Sequence, residues 1–165
     1  MATPTSLPAS FTAGQVLTAA QMNNLRGAFR VLQVVTANTE NNSGTTVSTT
    51  AYTATGLTAT ITPTSTSSKI LILVSQANRK TNADSQTEVQ SKIYRGATAL
   101  GSNFFLSTCY TNAAEELRIM ASLTYLDSPA TTSATTYTMY GAASAGTASF
   151  DFYCSGSMIL MEISA

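Results

Sequence analysis

Lys69 to Ser75 reads KILILVS, and its alternation sets Ile70, Ile72 and Val74 on one face of a strand and Leu71 and Leu73 on the other. A strand at the edge of a one-sided sheet has one wet face, so apolar residues on both faces predict burial on both. The closing segment Ser157 to Ser164, SMILMEIS, behaves alike: Met158 and Leu160 stand opposite Ile159, Met161 and Ile163. By contrast SFDFYCSG places Phe150, Phe152 and Cys154 on one face and Asp151, Tyr153 and Ser155 on the other, the pattern of a strand with one wet face. In a two-layer sandwich the second face of a two-sided strand meets water unless a helix, a loop or another subunit covers it. The chain's own loops are one candidate cover. The favoured expectation is an interface between copies of the chain, with Ile70, Leu71, Ile72, Leu73, Ile159, Met161 and Ile163 divided between core and subunit contacts.

Outward from these segments, period-two patterning runs from Val31 to the C-terminus, broken by Gly, Pro, Asn and Ser. About ten short strands follow, as in an antiparallel β-sandwich of jelly-roll type. The abundant Thr suits a pleated, half-wet surface. The stretch Pro63 to Ser68 reads as a turn.

The first thirty residues differ. Residues 1–10 hold Pro4 and Pro8 among small polar residues and predict an extended arm. In FTAGQVLTAAQMNNL (residues 11–25), Thr18 is a good N-cap, Gln21 completes a capping box and Leu17 can staple onto Met22. Met22, Leu25 and Phe29 then share a side at helical spacing. So short a helix is unstable in water without a packing partner. The expected organisation is therefore an arm and anchoring helix over 1–30, carrying Leu17, Met22, Leu25 and Phe29, and a β-sandwich over 31–165.

Composition narrows the function. The chain has 165 residues, 44% of them hydrophobic and only 10% charged, against roughly 25% charged in ordinary soluble domains. Eight Lys and Arg balance eight Asp and Glu, so nothing marks a nucleic-acid surface or a basic membrane patch. No apolar run, neither Met158 to Met161 nor Ile70 to Val74, approaches the length of a membrane span, and the N-terminus lacks the basic and apolar regions of a signal peptide. The chain is read as soluble, without membrane insertion. Histidine is absent, which removes the commonest general base and metal ligand. Cys109 and Cys154 stand singly, without zinc spacing, and read as buried free thiols.

No catalytic motif appears. Glu115 and Glu116 are adjacent, whereas a paired-acid hydrolase needs carboxylates facing each other across a cleft, so they read as a solvated loop. No nucleophile elbow, phosphate loop or dinucleotide fingerprint is present. The expectation is no enzyme, no cofactor and no metal. Arg79, Lys80 and Tyr110 lie in polar stretches that read as candidate contact loops.

The segment LPASFTAGQVLTAAQMNNL resembles one that opens many tailed-bacteriophage structural proteins. TATITPTSTSSKILILVS, KIYRGATALGS, ASLTYLDSPATTSATTYTMYG and SMILMEISA are, in that order, similar to small β domains of viral fibre proteins. The resemblance implies a virion structural protein assembled in the host cytoplasm: a short homotrimeric tail fibre or knob. It would be held to tail, collar or capsid proteins by its N-terminal segment, and would serve host attachment through contact with a surface glycan. A capsid decoration or head-fibre protein is the alternative, since no shaft or long heptad run is present. A carbohydrate-binding module is the alternative from another class: Trp is absent, but Tyr52, Tyr94, Tyr110, Tyr125, Tyr137, Tyr140 and Tyr153 are available to stack on sugars.

Overall fold

The computed structural model describes residues 13–14, 16, 18–19, 30–40, 44–81, 87–101, 106–151 and 153–164. Leu17, Met22, Leu25 and Phe29, which carry the expected helix, lie outside them, as does the whole of the expected arm, residues 1–10.

The body is an antiparallel β-sandwich. Its strands are β1 (Val31–Asn38), β2 (Thr45–Val47), β3 (Thr53–Ile61), β4 (Lys69–Lys80), β5 (Thr87–Arg95), β6 (Thr98–Ala99), β7 (Leu106–Thr111), β8 (Leu117–Asp127), β9 (Thr135–Ala143), β10 (Ala148–Phe150) and β11 (Ser157–Ile163). The first sheet runs β1-β11-β4-β10-β2, with β8 also paired to β4; the second runs β3-β9-β5-β6, with β7 also paired to β5. KILILVS is the first half of the longest strand. β4 bonds to β8 from Ile70 to Lys80, which occupies one side, and to β11 and β10 in succession along the other.

Several boundaries differ from the alternation. Thr45–Thr55 reads as one strand but splits into β2 and the start of β3, while β3 runs unbroken to Ile61. Gly56 has φ +93 and the β3–β9 register shifts between Ala54 and Thr58, so the glycine absorbs an irregularity that lets the strand continue.

The inward face of β4 changes character halfway. Ile70, Ile72 and Val74 join Leu57 and Ile61 of β3, Ile93 of β5, Tyr137 and Met139 of β9 and Met158 and Leu160 of β11 in the main core. The next three inward side chains, Gln76, Asn78 and Lys80, are polar and buried. A buried polar group without a partner costs about 1–3 kcal/mol, so each needs one. Gln76 Nε2 donates to Thr55 Oγ1 of β3 at 2.9 Å and Asn78 Nδ2 to Ser91 Oγ of β5 at 2.8 Å, two bonds that cross between the sheets. The Lys80 ammonium donates to the carbonyls of Ala113 and Glu115, each at 3.1 Å, and so fastens the turn into β8 from inside. Beyond lies a smaller apolar cluster of Val47, Val89, Ala143, Ala148 and Phe150. Phe150 packs so closely on Gly141 that a Cβ there would sit 2.1 Å from the ring.

At the other end, Asp127 of β8 ties the sheets together. It accepts from Arg95 Nη1 of β5 at 2.8 and 3.0 Å and from the Tyr137 hydroxyl of β9 at 2.7 Å. Burial, together with the hydrogen bond to Asp127 and its charge, pushes the Tyr137 phenol far above its ordinary range. Tyr137→Phe is expected to lower the unfolding free energy by about 1–3 kcal/mol, measured by urea denaturation, with the β-sheet circular dichroism unchanged.

Candidate association face and the loop at its end

The outward face of the first sheet carries the second face of the two-sided strands. Register aligns Val34 of β1, Met161 of β11, Leu71 of β4 and Leu126 of β8 in one row, and Thr36, Ile159, Leu73 and Thr124 in the next. Val34 and Leu126 are more than half exposed, at 53% and 52%. Leu71, Leu73, Ile159, Met161 and Ile163 are half-buried. Ile70 and Ile72, read together with them, belong wholly to the core. The face turns polar at Ser157, Ser75 and Ser122, which share the following row.

Past those serines, Arg79 and Arg118 stand directly opposite each other on β4 and β8. Like charges so placed repel. Glu116 offsets this: Arg79 donates to its Oε2 from Nε at 3.0 Å and from Nη2 at 2.6 Å, and Arg118 Nε donates to its Oε1. Hydrogen bonds from Arg79 and then Arg118 hold the Glu116 carboxyl below its ordinary range. Tyr153 lies against both arginines, its ring centroid 4.1 Å from Arg118 Cζ and 5.6 Å from Arg79 Cζ. Ion pairs at a solvent-exposed surface add little to stability, so the cluster matters chiefly for what it positions. Together with Ile119 and Met120 it borders a depression of about 260 Å³.

Tyr153 reaches this place through an unusual loop. Alternation extends a strand to Cys154, but β10 ends at Phe150 because Asp151 and Tyr153 take left-handed φ values of +57 and +71. Such φ values are costly for residues with a Cβ and persist where surroundings hold them. Asp151 is fully buried; its carboxylate accepts from Gln76 Nε2 at 2.9 Å and from the Ala77 N–H at 3.3 Å. At the far end Gly156 donates to Thr39 Oγ1 at 2.7 Å, and its missing Cβ leaves room for Asp151 Oδ1, which would otherwise be 2.5 Å away. Cys154 is consequently an exposed free thiol rather than a buried one.

The other expected contact residues are spread apart. Arg79 and Lys80 belong to β4, not to a loop, and Lys80 is buried with its ammonium turned inward. Tyr110 lies in β7 and is 59% exposed. Glu116, read as a solvated loop residue, is held between two arginines. The tyrosines serve different ends: Tyr137 is core, while Tyr52, Tyr94 and Tyr140 cluster with centroid separations of 6.5 and 4.1 Å. Tyr52 donates to Gln90 Oε1 at 3.0 Å. Among the described residues no group of three or more carboxylates and thiols could hold a metal, and no helix is long and apolar enough to cross a membrane. Arg118, Glu116 and Tyr153 escape a reading by motif, because only the fold brings them together.

No protein-family model matches the chain, and no curated protein matches its sequence. Among solved structures it is similar to that of infectious bursal disease virus Gx strain, with 9% identity and a TM-score of 0.45 over 81% of this chain and 38% of that one. A mutant VP2 protein of the same virus, in particles derived from it, gives 10% identity and 0.41 over 79% and 36%. The viral particle of that virus gives 8% and 0.44 over 79% and 37%. This chain thus spans a little over a third of the length of those proteins. The likeness assigns neither a family nor a function.

Two buried carboxylates set opposite pH dependences. Burial raises the Asp151 pKa despite hydrogen bonds from Gln76, Thr39 and Ala77. A protonated Asp151 also carries a donor, which the Gln76 carbonyl oxygen lacks among the described residues. Burial works against ionised Glu162 too, but hydrogen bonds from Gln33 and from the Thr64 hydroxyl and amide outweigh it and lower its pKa. Between the unfolded value of Asp, about 3.9, and the raised folded value, the native state binds the more protons, so stability falls as pH rises. Glu162 contributes stability above its unfolded value that is lost as pH falls through its folded one. In urea midpoints across a pH series, Asp151→Asn is expected to remove the decline with rising pH, and Glu162→Gln to remove part of the loss in acid.

Proposed function

We propose that this chain is a virion structural protein whose work is association: copies of the β-sandwich join through the outward face of the first sheet. The observation that carries the reading is the pair of rows Val34–Met161–Leu71–Leu126 and Ile159–Leu73 across four neighbouring strands, with Val34 and Leu126 about half open to solvent and the four between them partly open. Fully burying a Val, Leu, Ile or Met side chain is worth about 1.5–3 kcal/mol. Val34 and Leu126 have about half of this still to gain and the four side chains between them a smaller share, which works against the cost of association. The low charge of the chain favours such contacts, since few charged groups need be stripped of water. The sequence resemblance supports the viral setting and the specific form, a short trimeric fibre or knob. Its N-terminal 1–30, with Leu17, Met22, Leu25 and Phe29, attaches to other virion proteins.

Light scattering of the intact chain at micromolar concentration is expected to give three times the chain mass. Leu71→Lys combined with Met161→Lys is expected to give the monomer mass with unchanged circular dichroism. A monomeric unsubstituted chain would overturn the reading, and so would a double variant that still forms trimers.

A further inference from the structure

We infer that the depression bordered by β4, β8, Tyr153 and Cys154 binds the carboxylate of an acidic sugar, with Arg118 as the recognising group. Arg118 donates Nε to Glu116 and stacks on Tyr153, and its side chain is 53% exposed. Among the described residues no protein acceptor takes its terminal nitrogens. A guanidinium fixed at Nε and against an aromatic face, with its outer fork open, is arranged for bidentate pairing to a carboxylate. Little side-chain freedom remains to be lost on binding.

Three features favour a sugar. The depression, about 260 Å³, is smaller than the roughly 300–1,000 Å³ of pockets for drug-sized ligands, so it suits a group about one ring across. Its walls combine the half-exposed Tyr153 ring with Ile119 and Met120, apolar surface of the kind that meets the C–H face of a pyranose. Tyr153 is presented by a loop with two left-handed non-glycine residues, anchored from inside through Asp151. Backbone strain held in place this firmly clusters at functional sites.

Glu116 is then an internal competitor, a carboxylate of the chain already on Arg118 Nε. This sets the inference apart from a cluster that only braces the strands. The test is calorimetric titration of the intact chain with a glucuronate-containing disaccharide, its neutral glucose counterpart and a short polyglutamate peptide. Binding of the acidic disaccharide alone is expected. Arg118→Gln should weaken it at least about tenfold and Arg118→Lys, which keeps the charge but loses the fork, less severely. Glu116→Gln should tighten it about threefold or more. Absence of binding, equal binding of the neutral sugar or of polyglutamate, or an unchanged or weaker affinity in Glu116→Gln would each overturn the inference. The association rows are other residues, so the Leu71→Lys, Met161→Lys chain should keep the binding. Loss of trimers and loss of sugar binding are therefore separate results.

Discussion

The structure depends on β4 being bonded along both sides while its inward face changes from aliphatic to polar. Ile70, Ile72 and Val74 supply the apolar centre of the sandwich. Gln76, Asn78 and Lys80 then commit partners from elsewhere: Thr55, Ser91, Asp151 and the carbonyls before β8. Leaving such groups unpaired is too costly for a marginally stable domain. The acceptors that their donor groups need therefore fix how β3 and β5 lie over β4 and where the loop after β10 turns. Hydrophobic burial alone would allow the two sheets to slide; the crossing bonds and the Asp127–Arg95–Tyr137 link remove that freedom.

The same strand determines the surface. With inward positions filled by core and polar network, Leu71 and Leu73 must point outward, beside Ile159 and Met161 of β11 and Leu126 of β8. Past Ser75 the outward positions become Ala77 and Arg79, and the neighbouring strand supplies Met120 and Arg118. One sheet face thus carries an apolar area at one end and an arginine-tyrosine cluster at the other, separated by serines. Asp151 links interior to surface: its buried carboxylate is bound to the β4 network, and two residues later Tyr153 closes the cluster.

The apolar character of both faces of β4 and β11 was legible in KILILVS and SMILMEIS, because consecutive apolar residues in a strand fall on both of its faces whatever the strand order. The strand-rich sandwich was legible from period-two patterning. The second half of β4 was not: QANRK looks like a solvated loop when read alone, and its partners lie from 13 to 75 positions away. Glu162 was hidden for the same reason, an inward carboxylate satisfied by Gln33 and Thr64. The strand expected to reach Cys154 failed because alternation carries no information on φ, and Asp151 and Tyr153 leave the extended region. Arg118, Glu116 and Tyr153 were present as residue types, but their meeting needed the β4–β8 register and the strained loop.

The most direct measurement is methionine-oxidation footprinting by mass spectrometry on the intact chain, at micromolar concentration and after dilution to nanomolar. Met161 lies in the apolar row, Met120 outside it at 48% exposure, and Met158 in the core serves as the buried reference. If copies join through the outward face of the first sheet, Met161 is protected at micromolar concentration and gains reactivity on dilution, while Met120 reacts alike in both. Reactivity of Met161 that does not depend on concentration would contradict association through this face.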